Sequence, residues 1–331
     1  MERKNTEIET PEEERQAVAL AASQGEAGEN FACGNSAQAK SFRHRRKLDV
    51  IAWLKALPFI GPHLLFFCVF TIFPFFFGIY ISFFRWDVIG AGKAEFVGFW
   101  NYSQVLDFGG TFSLEFFEGL KRTCLYAVVM VPLLIVVPMM FAVMLNALKS
   151  KPLRSLFQAI MYASSLLSVA TVVIIWQLMT DQDNGLVNNI LNMDLNRNNQ
   201  PYAWIFIFAL TIWSGVGGNM IIFMSGMSNI PTTYYEAAEI DGANAFVRFW
   251  KITLPLMRFQ LLYSTVMGTI GAFNVYGQPA LFGGDDTEVL MIIIKNNLDI
   301  GLAGMASAMA VLLGLIISVF SGLQFKMMDK E

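Results

Sequence analysis

The 331-residue chain is poor in charge. Only 15% of its residues are Asp, Glu, Lys or Arg, where an average soluble domain has about 25%. The shortage is uneven. Of 23 basic and 26 acidic residues, seventeen fall in residues 1–50, which leaves 32 for the remaining 281 positions. Cysteine is scarce as well: three residues cannot staple a secreted scaffold. The net charge of −3 and the absence of a basic domain speak against a nucleic-acid partner. No His/Cys/Asp cluster has metal-ligand spacing, no G-x-S-x-G elbow occurs, and no G-x-x-x-x-G-K-[ST] loop is present to hold ATP. An enzyme reading finds no chemistry to use.

What fills the chain instead is apolar sequence. Hydrophobic residues make up 55% of it, and the mean hydropathy is +0.50. A helix crossing a bilayer core needs about 20 apolar residues. Six stretches qualify and carry no Asp, Glu, Lys or Arg: residues 56–84, 123–148, 156–180, 201–227, 259–284 and 300–325. The reading is an all-α polytopic membrane protein with six transmembrane helices. The first stretch is too long, and too far into the chain, for a signal peptide.

Basic residues set the orientation. With the segment before the first stretch on the cytoplasmic side, 17 of the 23 Lys and Arg lie inside and 6 outside. Both termini are then cytoplasmic. Residues 1–50 read as a disordered cytoplasmic tail, too polar to offset their chain entropy. Residues 51–331 read as the membrane domain. Inside the stretches the only ionisable side chain of the usual transporter kind is His63. It reads as a hydrogen-bonded structural residue, which weighs against a proton- or ion-coupled carrier.

The most informative segment joins the fourth and fifth stretches, NIPTTYYEAAEIDGANAFVRFWKITLP at 229–255. Pro231 suits a first helical position. A short helix with a small-residue face follows, and Gly242 is placed to end it. Residues 243–252 form a second short helix with an apolar stripe of Phe246, Phe249 and Trp250. Pro255 is expected to stop it. The bland alternative is an amphipathic hairpin resting on lipid. That accounts for the aromatics but not for the Ala pair beside Glu236, Asp241 and Gly242.

Glu236-Ala237-Ala238, three residues, Gly242-Ala243, then Phe249, Ile252 and Leu254-Pro255 resemble the EAA loop of bacterial ABC importer permeases. Ile230-Pro231 and Asp241 resemble its sugar-uptake branch, with the maltose-type and glycerol-phosphate-type permeases. The likeness extends along the membrane part. It includes the segment 96–102 (FVGFWNY), Val131-Pro132, Asn146, Trp176, Gly185-Leu186-Val187-Asn188, Ile212-Trp213, Asn219-Met220, Gly271-Ala272-Phe273, Gly283-Gly284, Gly304 and Ala306-Ser307-Ala308. Three features depart from the family pattern: Arg122-Thr123 in place of Asn-Thr, Ala163 in place of a proline, and Gly277-Gln278-Pro279. The large periplasmic insertion of the maltose permease is absent.

The resemblance implies a type I ABC importer permease fold, with core residues 117–325 and a coupling loop at 229–258. It implies a transport subunit in the bacterial plasma membrane that is not itself an enzyme and binds no cofactor, ATP being held by a partner. It further implies a second permease, two ATPase subunits, a periplasmic or extracellular binding protein, and lipid as partners. Glu236, Ala237, Ala238, Asp241, Gly242, Ala243 and Pro255 become the ATPase-coupling residues. Sugars offer an apolar ring face and many hydroxyls, so Trp213, Asn219, Phe273, Asn274 and Gln278 are the substrate-binding candidates. A permease for glycerol phosphate or another solute, an ATP-independent carrier or channel, and a regulatory subunit stand as alternatives.

Overall fold

The computed structural model describes residues 58–87, 94–181, 185, 186, 190, 202–282 and 284–328. The expected tail lies outside them. Two compact units divide the chain after Phe75. The boundary falls within α1, Pro58–Ile81, the first helix of membrane length. Its middle is a π-turn, Cys68–Ile72, which ends two residues before Pro74. A proline lacks the N–H for an i→i−4 bond and crowds the carbonyl of residue i−4, and one wide turn lets the helix pass it. His63 lies exposed on this helix with no hydrogen bond among the described residues, a departure from the hydrogen-bonded role expected of it.

After α1 comes a two-stranded antiparallel sheet, β1 (Phe84–Arg85) and β2 (Glu95–Phe96), with Phe84 opposite Phe96 and Arg85 opposite Glu95. A turn with Gly98 at φ +57° leads into α2, Trp100–Leu106. Asn101 is buried. Its amide donates to the Ser82 and Phe84 carbonyls at 2.8 and 2.9 Å. The Arg85 guanidinium lies 4.1 Å over the Trp100 ring. The 96–102 segment therefore serves as a clamp on the chain leaving α1.

The bundle itself is built on α3, Thr111–Asn146, and α6, Tyr202–Ser228. Between them in sequence lie α4, Lys151–Ser165, and α5, Val169–Met179. Beyond α6 come α7, Thr232–Ile240, and α8, Ala245–Arg248. These are followed by α9, Arg258–Phe273, α10, Gly277–Phe282, α11, Leu290–Asp299, and α12, Ala303–Met328.

Glycines mark the close approaches. A Cβ on Gly217 of α6 would run into the Met161 carbonyl oxygen of α4, and one on Gly304 of α12 into that of Phe84. The Arg122-Thr123 pair has a structural use. Thr123 Oγ1 accepts from the Leu290 N–H opening α11 at 2.9 Å and donates to the Gly119 carbonyl at 2.8 Å.

Among the described residues, four helices are long and apolar enough to cross a membrane: α1, α3, α6 and α12. The third and fifth stretches, read as single spans, are not single helices. α4 and α5 meet at a bend of 96°. α9 stops at Phe273, and α10 begins only after a break at residues 274–276. Short polar side chains sit at both breaks. Ser164 Oγ donates to the Trp213 carbonyl of α6 at 2.8 Å, and Ser168 Oγ accepts the Thr171 N–H at 3.2 Å as the N-cap of α5. Asn274 folds its amide back onto the Ile270 carbonyl at 2.8 Å and ends α9. Short polar side chains compete with the backbone in this way and terminate helices.

Candidate functional site

The two helix breaks face one another. A Cβ on Gly277, at the start of α10, would meet Val169 Cγ1, at the start of α5, at 2.7 Å. Gln177 Nε2 of α5 donates to the Leu281 carbonyl of α10 at 2.6 Å. Next to this junction is a cavity of about 250 Å³. Its polar walls are Ser165, Thr211, Ser214, Asn219 and Gln278, and its apolar walls include Leu134 and Leu167. Gly215, the middle residue of α6, also lines it, so the cavity sits at mid-depth. Interrupted backbone at that depth is stable only where it is buried in protein or lines a water-filled space. Among the described residues, none that lines it carries a charge. Such a wall offers hydroxyl and amide groups to a neutral polar ligand.

Of the five substrate-binding candidates, Asn219 and Gln278 meet at this cavity. Trp213 and Asn274 do not line it. Trp213 packs edge-on against Trp176, with ring centroids 6.5 Å apart, and Asn274 is exposed. Phe273 is buried and stacks on Phe320 at 5.5 Å, so it is part of the packed core. Ser165, Thr211 and Ser214 are lining residues that sequence reasoning missed. The hydroxyl pair at 164–165 in an otherwise apolar run was the available signal.

At the end of α6 lies the second feature, a helical hairpin. None of the residues of α7 is buried. Glu236, Ala237 and Asp241 are exposed, Ala238 and Ala243 are half-buried, and Ile240 is 88% exposed. Gly242 ends α7 as expected, with φ +76° and its N–H donating to the Glu239 carbonyl at 3.1 Å. Pro231 caps α7 rather than opening it.

The second arm differs more from expectation. It is not one α-helix over 243–252 but α8 followed by a π-turn, Phe249–Thr253. Pro255 does not stop it. The wide turn ends two residues before this proline, as it does before Pro74, and helical structure continues through Leu254–Leu256 until Met257. Behind the hairpin is a methionine-rich core of Met139, Met220, Met224, Met227 and Met257, against which Tyr235, Phe249, Ile252 and Leu254 pack. Methionine is flexible and adaptable. The hairpin is thus seated on the bundle by one face and presents the other.

Membrane-length helices, two further stretches broken beside a neutral mid-depth cavity, and a seated helical hairpin at one end define a membrane permease. The chain belongs to the family of binding-protein-dependent transport system inner membrane components, whose model matches residues 108–330. It is 31% identical over 281 residues to the arabinooligosaccharides transport system permease protein AraP of Halalkalibacterium halodurans, covering 81% of this chain and 86% of the relative. To the lactose transport system permease protein LacF of Rhizobium radiobacter it is 28% identical, covering 71% and 76%. To the sn-glycerol-3-phosphate permease protein UgpA of Agrobacterium fabrum it is 27% identical, covering 84% and 96%. In fold it matches a chain of a bacterial ABC transporter that imports the acidic polysaccharide alginate, with a TM-score of 0.75 at 19% identity, covering 86% and 99%.

Proposed function

We propose that this permease forms one half of a membrane pore that takes up a sugar or oligosaccharide, driven by ATP hydrolysis in a separate subunit. A second permease completes the pore, a binding protein delivers the sugar, and two ATPase subunits dock on the hairpins. The hairpin carries the reading, because no residue of its first arm is buried while Tyr235, Phe249, Ile252 and Leu254 seat the hairpin on the bundle. Glu236 pairs with a basic group of the ATPase, and such pairs fix register more than they add affinity. Ala237 and Ala238 let the partner approach closely. Gly242 and Ala243 make the turn, and Asp241 closes α7. Pro255 together with the π-turn before it passes motion of the hairpin to α9. The hairpin and both termini face the cytoplasm.

Asn219 and Gln278, with Ser165, Thr211 and Ser214 beside them, hydrogen-bond the sugar in the cavity. The uncharged wall favours a sugar over glycerol phosphate. A phosphate dianion calls for a cationic partner when desolvated.

The test is purification in mild detergent with mass spectrometry of the associated proteins. Recovery of a P-loop ATPase and a second six-span protein supports the proposal, and the accompanying binding protein can then be screened for sugars. A folded chain recovered alone supports an autonomous carrier or channel.

A further inference from the structure

A groove of about 500 Å³ runs between α3 and the second arm of the hairpin. Val136, Met140 and Met144 form one wall, and Phe246, Trp250 and Leu254 the other. It has no part in the cavity described above. All six of these side chains are apolar, and Val136, Met140, Met144, Phe246 and Trp250 are more than half exposed.

We propose that this groove holds an acyl chain of an anionic phospholipid from the leaflet on the hairpin side, and that the lipid braces the hairpin's second arm against α3. Three observations fit this occupant. The first is length. The lining runs along α3 from Ile135 to Met144, about 14 Å at ~1.5 Å per residue, close to one leaflet's share of a bilayer core about 30 Å thick. The second is the aromatic mouth. Phe246 and Trp250, 6.0 Å apart between ring centroids, lie where the groove meets the hairpin, and tryptophan favours the head-group level of a membrane. The third is charge. Lys251 follows Trp250 directly, and Arg258 precedes the lining residue Leu261 by one helical turn. Neither forms an ion pair among the described residues. Arg258 also lies 5.0 Å over the Phe259 ring; two cations with no carboxylate partner, close in sequence to the lining of an apolar channel, suit a phosphate head group with a fatty tail. The proposal rests on the membrane reading of the fold, not on the identity of the solute.

The test uses the transporter complex as purified from membranes and placed in bilayer nanodiscs with spin-labelled phosphatidylglycerol or spin-labelled phosphatidylcholine. The wild type is expected to immobilise phosphatidylglycerol preferentially. Lys251→Gln with Arg258→Gln should lower that preference by about fivefold per charge removed and leave phosphatidylcholine unchanged. Met140→Trp with Met144→Trp, which fills the groove, should release both lipids. Equal immobilisation of the two lipids by the wild type would overturn the proposal. So would a photo-crosslinker at Met140 that captures a helix of the partner permease, which would make the groove a protein interface. If no ATPase co-purifies, the permease alone still reports lipid selection, so the two readings fail separately.

Discussion

The hydroxyl groups of Tyr235 and Thr253 lie 2.9 Å apart. This bond ties α7 to the π-turn and makes the two arms of the hairpin one body. A second tie, Arg248 Nη1 to Glu239 Oε2 at 3.4 Å, is more exposed and therefore weaker, since surface ion pairs contribute little. Tyr235→Phe removes the hydroxyl and leaves the packing, at a cost of about 1 kcal/mol. The expected result is normal insertion with fewer solute molecules moved per ATP, read as the ratio of uptake to phosphate release. Glu239→Gln should change that ratio less.

Gly242 is the second sensitive point. Its φ of +76° is open to glycine and strained for other residues. Gly242→Ala should lower stability by about 1 kcal/mol. Gly242→Pro should do more, because proline fixes φ near −65° and removes the N–H now bonded to Glu239. Gly242→Pro and Glu236→Lys are both expected to insert normally and to hydrolyse ATP without driving uptake. Normal uptake by either variant would count against the coupling role.

Asn219→Ala and Gln278→Ala should each weaken solute-stimulated ATP hydrolysis by roughly fivefold, the effect of one lost hydrogen bond of about 1 kcal/mol. Phe273→Ala serves as the contrast. It opens a hole beside Phe320 and should cost about 3–5 kcal/mol of stability without altering which solute stimulates the complex. Thermal unfolding and ATPase titration on the same preparations separate the two effects.

The clamp around Asn101 should be structural only. Asn101→Leu leaves the Ser82 and Phe84 carbonyls without their donor, and a buried polar group stranded in this way costs about 1–3 kcal/mol. Gly304→Val sets a side chain against the Phe84 carbonyl and should act in the same direction. Both should lower the melting temperature and leave the uptake-to-ATP ratio of the surviving protein intact.

Hydrophobic length made the membrane helices legible, and the glycine and alanine spacing made the hairpin legible. The helix breaks were harder to read. Residues 156–180 are uniformly uncharged, and the bend after Ser165 depends on Ser164 reaching a carbonyl 49 residues further along the chain. The π-turns were missed because a proline in a helical run reads as a stop, whereas Pro74 and Pro255 each follow a widened turn that lets the helix continue. Phe273 shows the limit for sites. An aromatic that stacks on a sugar and one that stacks on Phe320 look alike until the neighbouring helix is in place. Asn219 and Gln278 lie 59 positions apart in sequence, and only the facing of the two breaks brings them to one cavity.

In the proposed coupling, the exposed face of α7 meets the ATPase. Ile240, 88% exposed at the end of α7, is the position to probe, by replacing it with a photoreactive p-benzoylphenylalanine in native membranes. The expected result is one major adduct, to a protein carrying a P-loop, that weakens in Glu236→Lys. Adducts to lipid alone, or to a protein without a nucleotide-binding motif, would contradict it.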